Sequence, residues 1–75
     1  MPLYYFHVRD EDVLREDPEG EQFDTLEMAI EGAVGAARDL LAERLRGGKA
    51  IGNEAFEITD ERGTIVKILP FKSVL

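Results

Sequence analysis

Hydrophobic and polar residues alternate near the start of the chain. One face of this alternation carries Tyr4, Phe6 and Val8, and the other carries Leu3, Tyr5, His7 and Arg9. A period of two predicts a β-strand. Because both faces begin with apolar side chains, this strand is either central and covered on both sides, or its second face meets a partner chain.

A helical pattern follows Asp24. From Leu26 to Leu45 the apolar residues recur at spacings of three and four, which predicts one long helix with a single apolar stripe. Asp24 and Glu27 resemble a capping box, so we expect the helix to begin there and to end at the glycines 47 and 48. Glycine inside a helix is costly in exposed positions, and therefore predicts close approach of a strand or a second helix. The two internal glycines are Gly32 and Gly35.

The C-terminal third of the chain predicts a β-hairpin. Phe56 and Ile58 alternate with polar residues, the segment 60–63 has the composition of a tight turn, and 64–69 is a second apolar strand. In that strand, strict alternation places Val66 and Ile68 on one face and Ile65, Lys67 and Leu69 on the other. Pro70 either ends the pairing or marks an edge strand.

The segment between the first strand and the helix is dense in acidic residues. Val13 and Leu14 fit either a short second strand or the tip of a hairpin, and residues 17–20 predict a turn. Together the elements predict an α+β fold in β-β-α-β-β order, as a single domain over residues 1–75. In it, a small antiparallel sheet of three to four strands packs on one long helix. The place of the first strand in the sheet stays open, including a position between the last two.

One helix covers only one face of such a sheet. The apolar residues expected on the uncovered face are Leu3, Tyr5, Ile65 and Leu69. A chain of 75 residues without cysteine has few other ways to bury more apolar surface. We therefore expect a homodimer formed through the sheet or its edge.

Charge is distributed unevenly. The net charge is −7, and residues 10–27 contain nine acids and one base, so the rest of the chain is close to neutral. This field argues against nucleic acid or an anionic membrane as the main partner. The acidic segment is a solvated loop, a cation site, or a docking surface for a basic protein partner. The docking residues would be Asp10, Glu11, Asp12, Glu16 and Asp17.

The basic residues, the absence of cysteine and the lack of a long apolar stretch exclude several kinds of site. The basic cluster Arg44, Arg46 and Lys49 is expected to complement the helix dipole, although it could also bind an anion. The absence of cysteine removes disulfides, thiolate nucleophiles and thiolate metal sites. No apolar stretch approaches the roughly 20 residues of a membrane span, and no export signal opens the chain, so we expect no membrane insertion.

A calcium loop matches the acidic segment only in part. Asp10, Asp12 and Glu21 fall at positions 1, 3 and 12 of that loop. Leu14 and Arg15, however, occupy the positions of a further oxygen ligand and of the turn glycine. We therefore predict no metal site.

The single histidine, His7, shares a strand face with Tyr5 and Arg9. A catalytic histidine needs a nucleophile or an acid within hydrogen-bond reach, and nothing in the spacing places one there. We expect no catalytic residue and no cofactor. Tyr5, His7 and Arg9 are then either a dimer contact or a polar ligand site with aromatic walls.

Three segments carry a resemblance to a known family: the opening Pro2 and Tyr4–Asp10, the helical Ala36–Ala42, and the closing Phe56–Ile58 with Pro70 and Phe71. Over nearly the whole chain they resemble a family of short bacterial proteins known only as a domain of unknown function. The resemblance implies a cytoplasmic bacterial protein and carries no activity, cofactor or catalytic residue. Usual members read Asp-Gly near positions 10 and 11. The first turn here, with Glu11 and Asp12, is therefore expected to be longer and more acidic.

The function that follows is a non-enzymatic interaction module, acting as a homodimer with an acidic docking loop. The alternative is a small-ligand or metabolite-binding domain that uses the uncovered sheet face around His7 and Arg9. A more distant alternative is a small hydrolase or isomerase that uses His7 with Asp10.

Overall fold

The computed structural model describes residues 2–75, which form an antiparallel sheet, one long helix and a short C-terminal 3-10 helix. The elements are β1 (Leu3–Asp10), β2 (Val13–Arg15), β3 (Glu21–Gln22), α1 (Leu26–Arg46), β4 (Ala55–Thr59), β5 (Ile65–Pro70) and the 3-10 helix Phe71–Val74. The predicted α+β class, with one long helix on an antiparallel sheet, is confirmed. Val13 and Leu14 lie in a short strand. β3 was not predicted, because two residues are too few to show alternation.

The sheet has the strand order β2-β1-β4-β5, and β3 also pairs with β1. Along one side β1 pairs with β4, with His7 opposite Glu57. Along its other side β1 pairs with β3 near its start and with β2 near its end. Strands β1 and β4 are therefore internal, β5 forms one edge, and β2 with β3 forms the other. The first strand does not lie between the last two, since β4 separates β1 from β5.

The core lies between α1 and one face of the sheet. Three alanines at a spacing of four, Ala29, Ala33 and Ala37, are fully buried on the inner side of the helix. Their small side chains leave the space between helix and sheet to large residues of the strands and of the 3-10 helix. Phe56 and Phe71 meet there edge to face, with ring centroids 4.8 Å apart.

The helix begins one residue later than predicted. Its N-cap is Thr25, whose hydroxyl accepts a hydrogen bond from the Met28 N–H at 3.2 Å. Threonine and aspartate are both good N-caps, so composition alone does not choose between Asp24 and Thr25. At the other end the left-handed residue is Gly48, with φ +70°, and the helix ends there as expected.

The close approach predicted at Gly32 is made by a side chain rather than by a strand or a second helix. A Cβ atom on Gly32 would lie 2.9 Å from the ring of Phe23, which stands just before the helix. Gly35 faces open space, so the same prediction fails there.

Strand β5 departs from strict alternation. Leu69 lies opposite Phe56 in the core and is 7% exposed, so its predicted place on the uncovered face is wrong. Ile68, opposite Glu57, lies on that face instead and is 54% exposed. The pairing is irregular between Ile58 and Thr59, and this bulge puts Ile65 and Leu69 on opposite faces.

Candidate functional site

The acidic loop, residues 10–20, runs along the edge of β1 and folds back onto the open face of the sheet. Its anchor is Asp17. The backbone N–H of Asp17 donates to Nδ1 of His7 at 2.9 Å. Nδ1 must therefore carry a lone pair, so the ring proton of neutral His7 sits on Nε2, which is 3.2 Å from the Thr59 hydroxyl. Both ring nitrogens of His7 are thus engaged within the chain.

The carboxylate of Asp17 fills the gap between β2 and β3. Its Oδ2 accepts from the Phe6 N–H at 3.2 Å, and its Oδ1 accepts from the N–H groups of Glu19 and Gly20, each also at 3.2 Å. Burial works against ionisation, but these backbone hydrogen bonds hold the pKa of Asp17 below its usual value. Asp17 therefore replaces a strand partner at the one stretch of this β1 edge that neither short strand covers.

The rings of Tyr5 and His7 lie on the open face of the sheet beneath the acidic loop. Tyr5 and His7 stack with centroids 6.1 Å apart and an interplanar angle of 12°. Gly20 lies against Tyr5 with φ +71°, and a Cβ there would lie 2.8 Å from the Tyr5 ring. Only glycine fits this position, because a side chain would meet both the ring and an unfavourable backbone conformation.

A cleft of about 290 Å³ opens between the acidic loop and the β4–β5 turn. Its lining includes Tyr5, His7, Glu16, Asp17, Thr59 and Glu61. One wall is therefore aromatic and the rims are acidic. The structure joins here two features that the sequence analysis treated separately, the acidic loop and the face that carries His7.

Arg9 shares the open face but stands apart from this cleft. Its Nε donates to Oε2 of Glu57 at 2.7 Å. This hydrogen bond raises the pKa of the Arg9 guanidinium, against a smaller opposing effect of burial. The predicted group of Tyr5, His7 and Arg9 therefore divides into two aromatic residues in the cleft and one arginine held by a carboxylate.

The other four predicted docking acids point to solvent. Asp10, Glu11, Asp12 and Glu16 are all exposed. Asp10 pairs with Val13, so the turn consists of only two residues, and the expectation of a longer turn is wrong. Glu11 has φ 53°, the left-handed conformation that favours glycine.

Arg44 and Glu54 form a buried ion pair that the sequence did not predict. Glu54 is 8% exposed, and both of its carboxylate oxygens accept from the guanidinium of Arg44. Arg15 of β2 adds a contact at 3.3 Å, and the Arg44 guanidinium also lies over the Phe71 ring. The predicted basic cluster is therefore reduced, because Arg44 is committed to Glu54. The spacing of Arg44 and Glu54 in the sequence does not indicate an ion pair, because only the tertiary fold brings the two side chains together.

Two further observations concern residues 2–75. None of the helices in this part of the chain is long and apolar enough to cross a membrane. Nor do the described residues include three or more His, Asp or Glu side chains grouped so that they could hold a metal ion.

The fold and the site together define a small α+β module, with one face under a single helix and an acidic loop pinned to the other. The chain belongs to the family DUF6894, a domain of unknown function, whose sequence profile matches residues 3–72. The predicted membership of an uncharacterised family is confirmed. Searches of curated proteins and of solved structures found no match.

Proposed function

We propose that this protein is a non-enzymatic interaction module of the bacterial cytoplasm, which acts as a homodimer and docks a basic protein partner on its acidic loop. The observation that carries the proposal is the anchoring of that loop. Asp17 ties it to β1 through hydrogen bonds with Phe6 and His7, while the four other predicted docking acids, Asp10, Glu11, Asp12 and Glu16, remain exposed.

Anchoring matters because a mobile loop loses conformational entropy when it binds, and a fixed one loses less. The Asp17 carboxylate already accepts three backbone hydrogen bonds, so the proposal assigns the docking charge to Asp10, Glu11, Asp12 and Glu16. Concentrated negative charge of this kind attracts a basic surface over a distance and accelerates its association.

The environment of His7 supports a function without catalysis. A general base must offer a free lone pair to its substrate. Nδ1 of His7 is occupied by the Asp17 N–H, and Nε2 faces the Thr59 hydroxyl. The more distant hypothesis, a hydrolase or isomerase using His7 with Asp10, would require His7 to leave both partners.

The test compares two variants with the same net charge. The loop variant carries D10N, E11Q, D12N and E16Q, and the control carries E27Q, E31Q, D39N and E43Q, four exposed acids of α1. A partner is first captured by tagged wild-type protein from a lysate of a bacterium that encodes the chain, and is then purified. Its Kd for each protein is measured by titration calorimetry at several salt concentrations.

We expect the loop variant to bind at least about tenfold more weakly, with a shallower dependence on salt, and the control to bind like the wild type. Equal weakening in both variants would mean that only the overall charge matters. No weakening in either would remove the acidic loop from the interaction. Both of these outcomes contradict the proposal.

The cleft favours the second candidate, a small-ligand or metabolite-binding domain. Its aromatic wall and its volume of about 290 Å³ suit a small molecule, and its polar groups include Tyr5, His7 and Thr59 beside the acidic rims. A panel of metabolites is screened for a rise in Tm, and His7→Ala should abolish any gain. Arg9→Ala is the control, because Arg9 is outside the cleft. A gain that survives His7→Ala would place the ligand elsewhere.

A further inference from the structure

The outer edge of β5 carries unpaired backbone groups. The Phe71 N–H donates to the Glu54 carbonyl at 2.9 Å, which fixes which residues of this ladder bond inward. Because antiparallel pairs alternate, Lys67 and Leu69 bond to β4, and the N–H and C=O groups of Ile68 point away from the sheet. Within residues 2–75, no turn, loop or side-chain hydrogen bond uses those groups of Ile68. Val66 is the extra residue of the bulge, so the alternation is not extended to it.

The side chains along this edge suit a second copy of the chain. Ile65 is 49% exposed and Ile68 is 54% exposed, and residues 64–75 include no acid. The opposite edge belongs to the region of residues 10–27, with nine acids and one base. Two copies that met there would bring like charges together, whereas contact through β5 keeps the acidic loops at the far ends.

We propose that β5 is the dimer interface, and that two copies pair antiparallel with Ile68 opposite Ile68 of the second copy. This inference rests on the homodimer of the proposed function and names its surface. The two-fold axis that relates the two β5 strands is perpendicular to the sheet. The dimer is therefore one continuous sheet with both helices on the same face. It presents an acidic loop at each end.

Lys67 selects this register over its neighbour. If Val66 lay opposite Ile68 of the second copy, the two Lys67 side chains would face each other directly, and like charges in that position are destabilising. With Ile68 opposite itself, Lys67 faces Leu69 of the second copy instead. Charge at the edge strand therefore allows pairing in one register and opposes it in the other.

Pro70 is compatible with the chosen register. Its nitrogen has no hydrogen to donate, but the bonds that define this register lie at Ile68 and do not need one from Pro70. The Pro70 carbonyl accepts from the Ser73 hydroxyl at 2.6 Å and so already has a partner within the chain. The backbone bonds that define this register are therefore the two exchanged between Ile68 and Ile68 of the second copy.

The test uses charge-swapped variants of the full chain, I68K and I68E. Sedimentation equilibrium gives the dimer Kd of the wild type, of each variant and of their equimolar mixture. Circular dichroism confirms that each variant is folded. The matched controls are V13K and V13E, because Val13 is 58% exposed on a strand at the opposite edge.

We expect the wild type to dimerise, each Ile68 variant to raise the Kd at least about tenfold, and the mixture to recover a heterodimer. The Val13 variants should dimerise like the wild type. A mixture that stays monomeric overturns the register, and a dimer that tolerates both Ile68 variants overturns the interface but keeps the homodimer. A monomeric wild type overturns both, while its binding of a basic partner would still be tested separately by the acidic-loop variants.

Discussion

The two edges of the sheet differ in how their backbone groups are satisfied. At the acidic edge, two short strands cover the ends of β1, and the Asp17 carboxylate accepts from Phe6 in the gap between them. At the other edge, β5 presents outward backbone groups at Ile68, and the side chains of Ile65 and Ile68 are about half exposed. One edge is closed by a side chain and surrounded by charge, and the other is open and apolar.

This difference suggests a division of roles in a very small protein. An exposed strand edge invites pairing with another chain, and charge or a covering segment prevents it. The acidic edge has both protections, so in the proposed function it meets a partner through side chains alone. The β5 edge carries Lys67 and Pro70, and in the proposed dimer these residues restrict the register of pairing rather than prevent it.

The largest effect on stability is expected at Glu54, which contacts residues from both edges of the sheet. Its carboxylate binds Arg44 of the helix and Arg15 of β2, and its carbonyl accepts from Phe71 after β5. Glu54→Ala leaves Arg44 without its buried partner, so we expect a loss of about 3 kcal/mol in the free energy of unfolding. Urea denaturation measures it, with exposed Glu43→Ala as the control. A loss no larger than that of the control would mean that the pair is only a surface contact.

A smaller effect is expected at Gly20, where the acidic loop meets Tyr5. Gly20→Ala puts a Cβ atom 2.8 Å from the Tyr5 ring at φ +71°, so we expect a loss of about 2 kcal/mol. Gly48→Ala is the matched control, because Gly48 has φ +70° with no atom within 4 Å. Thermal unfolding of the two variants separates the contact from the backbone strain. Equal Tm values would show that Tyr5 moves aside freely.

The anchor of the acidic edge is expected to depend on pH. Asp17→Asn weakens the hydrogen bonds from Phe6 and Gly20, at a cost of about 1–2 kcal/mol near neutral pH. Because the pKa of Asp17 is lowered by folding, its stabilisation is complete above the unfolded pKa of about 3.9 and disappears as the pH falls through the lower folded value.

Urea denaturation of wild type and Asp17→Asn from pH 7 to pH 3 checks this expectation. The difference in the free energy of unfolding should be constant near neutrality and should shrink in the acidic range. A difference that stays the same at every pH would assign the effect to the shape of the side chain and not to its charge.

The smallest effect, and the only gain, is expected at Glu11. Its φ of 53° is unfavourable for a residue with a Cβ atom, so Glu11→Gly should stabilise the protein by about 0.5–1 kcal/mol. Glu11→Gln is the control, because it removes the charge and keeps the strain. If the two variants have the same Tm, the charge and not the backbone limits stability at this turn.

Local patterns predicted most of the fold because they depend on neighbouring residues. The alternation from Tyr4 to Val8 and the spacing of Ala29, Ala33 and Ala37 each indicate one element and its buried face. The alternation that grouped Leu69 with Ile65 failed, because a bulge formed with β4 lies between these two residues and changes the face. A bulge is a property of the pair of strands, and one strand alone does not record it.

The candidate site was predicted in pieces. The acidic loop and the aromatic face around His7 are both visible in the sequence, but their junction at Asp17 is not. Asp17 and His7 are ten residues apart, and the two short strands β2 and β3 bring them together. The buried partner of Arg44 was missed for the same reason, since Glu54 resembles any other acid in the sequence.

By itself, the sequence determined the class of fold, the positions of the main elements and the concentration of charge in one segment, because periodicity and composition act over short distances along the chain. Only the tertiary structure decided which acid becomes an anchor, which arginine is buried, and which edge of the sheet stays open. Each of these depends on which strands lie side by side, and a hydrogen bond between distant residues exists only after that arrangement forms.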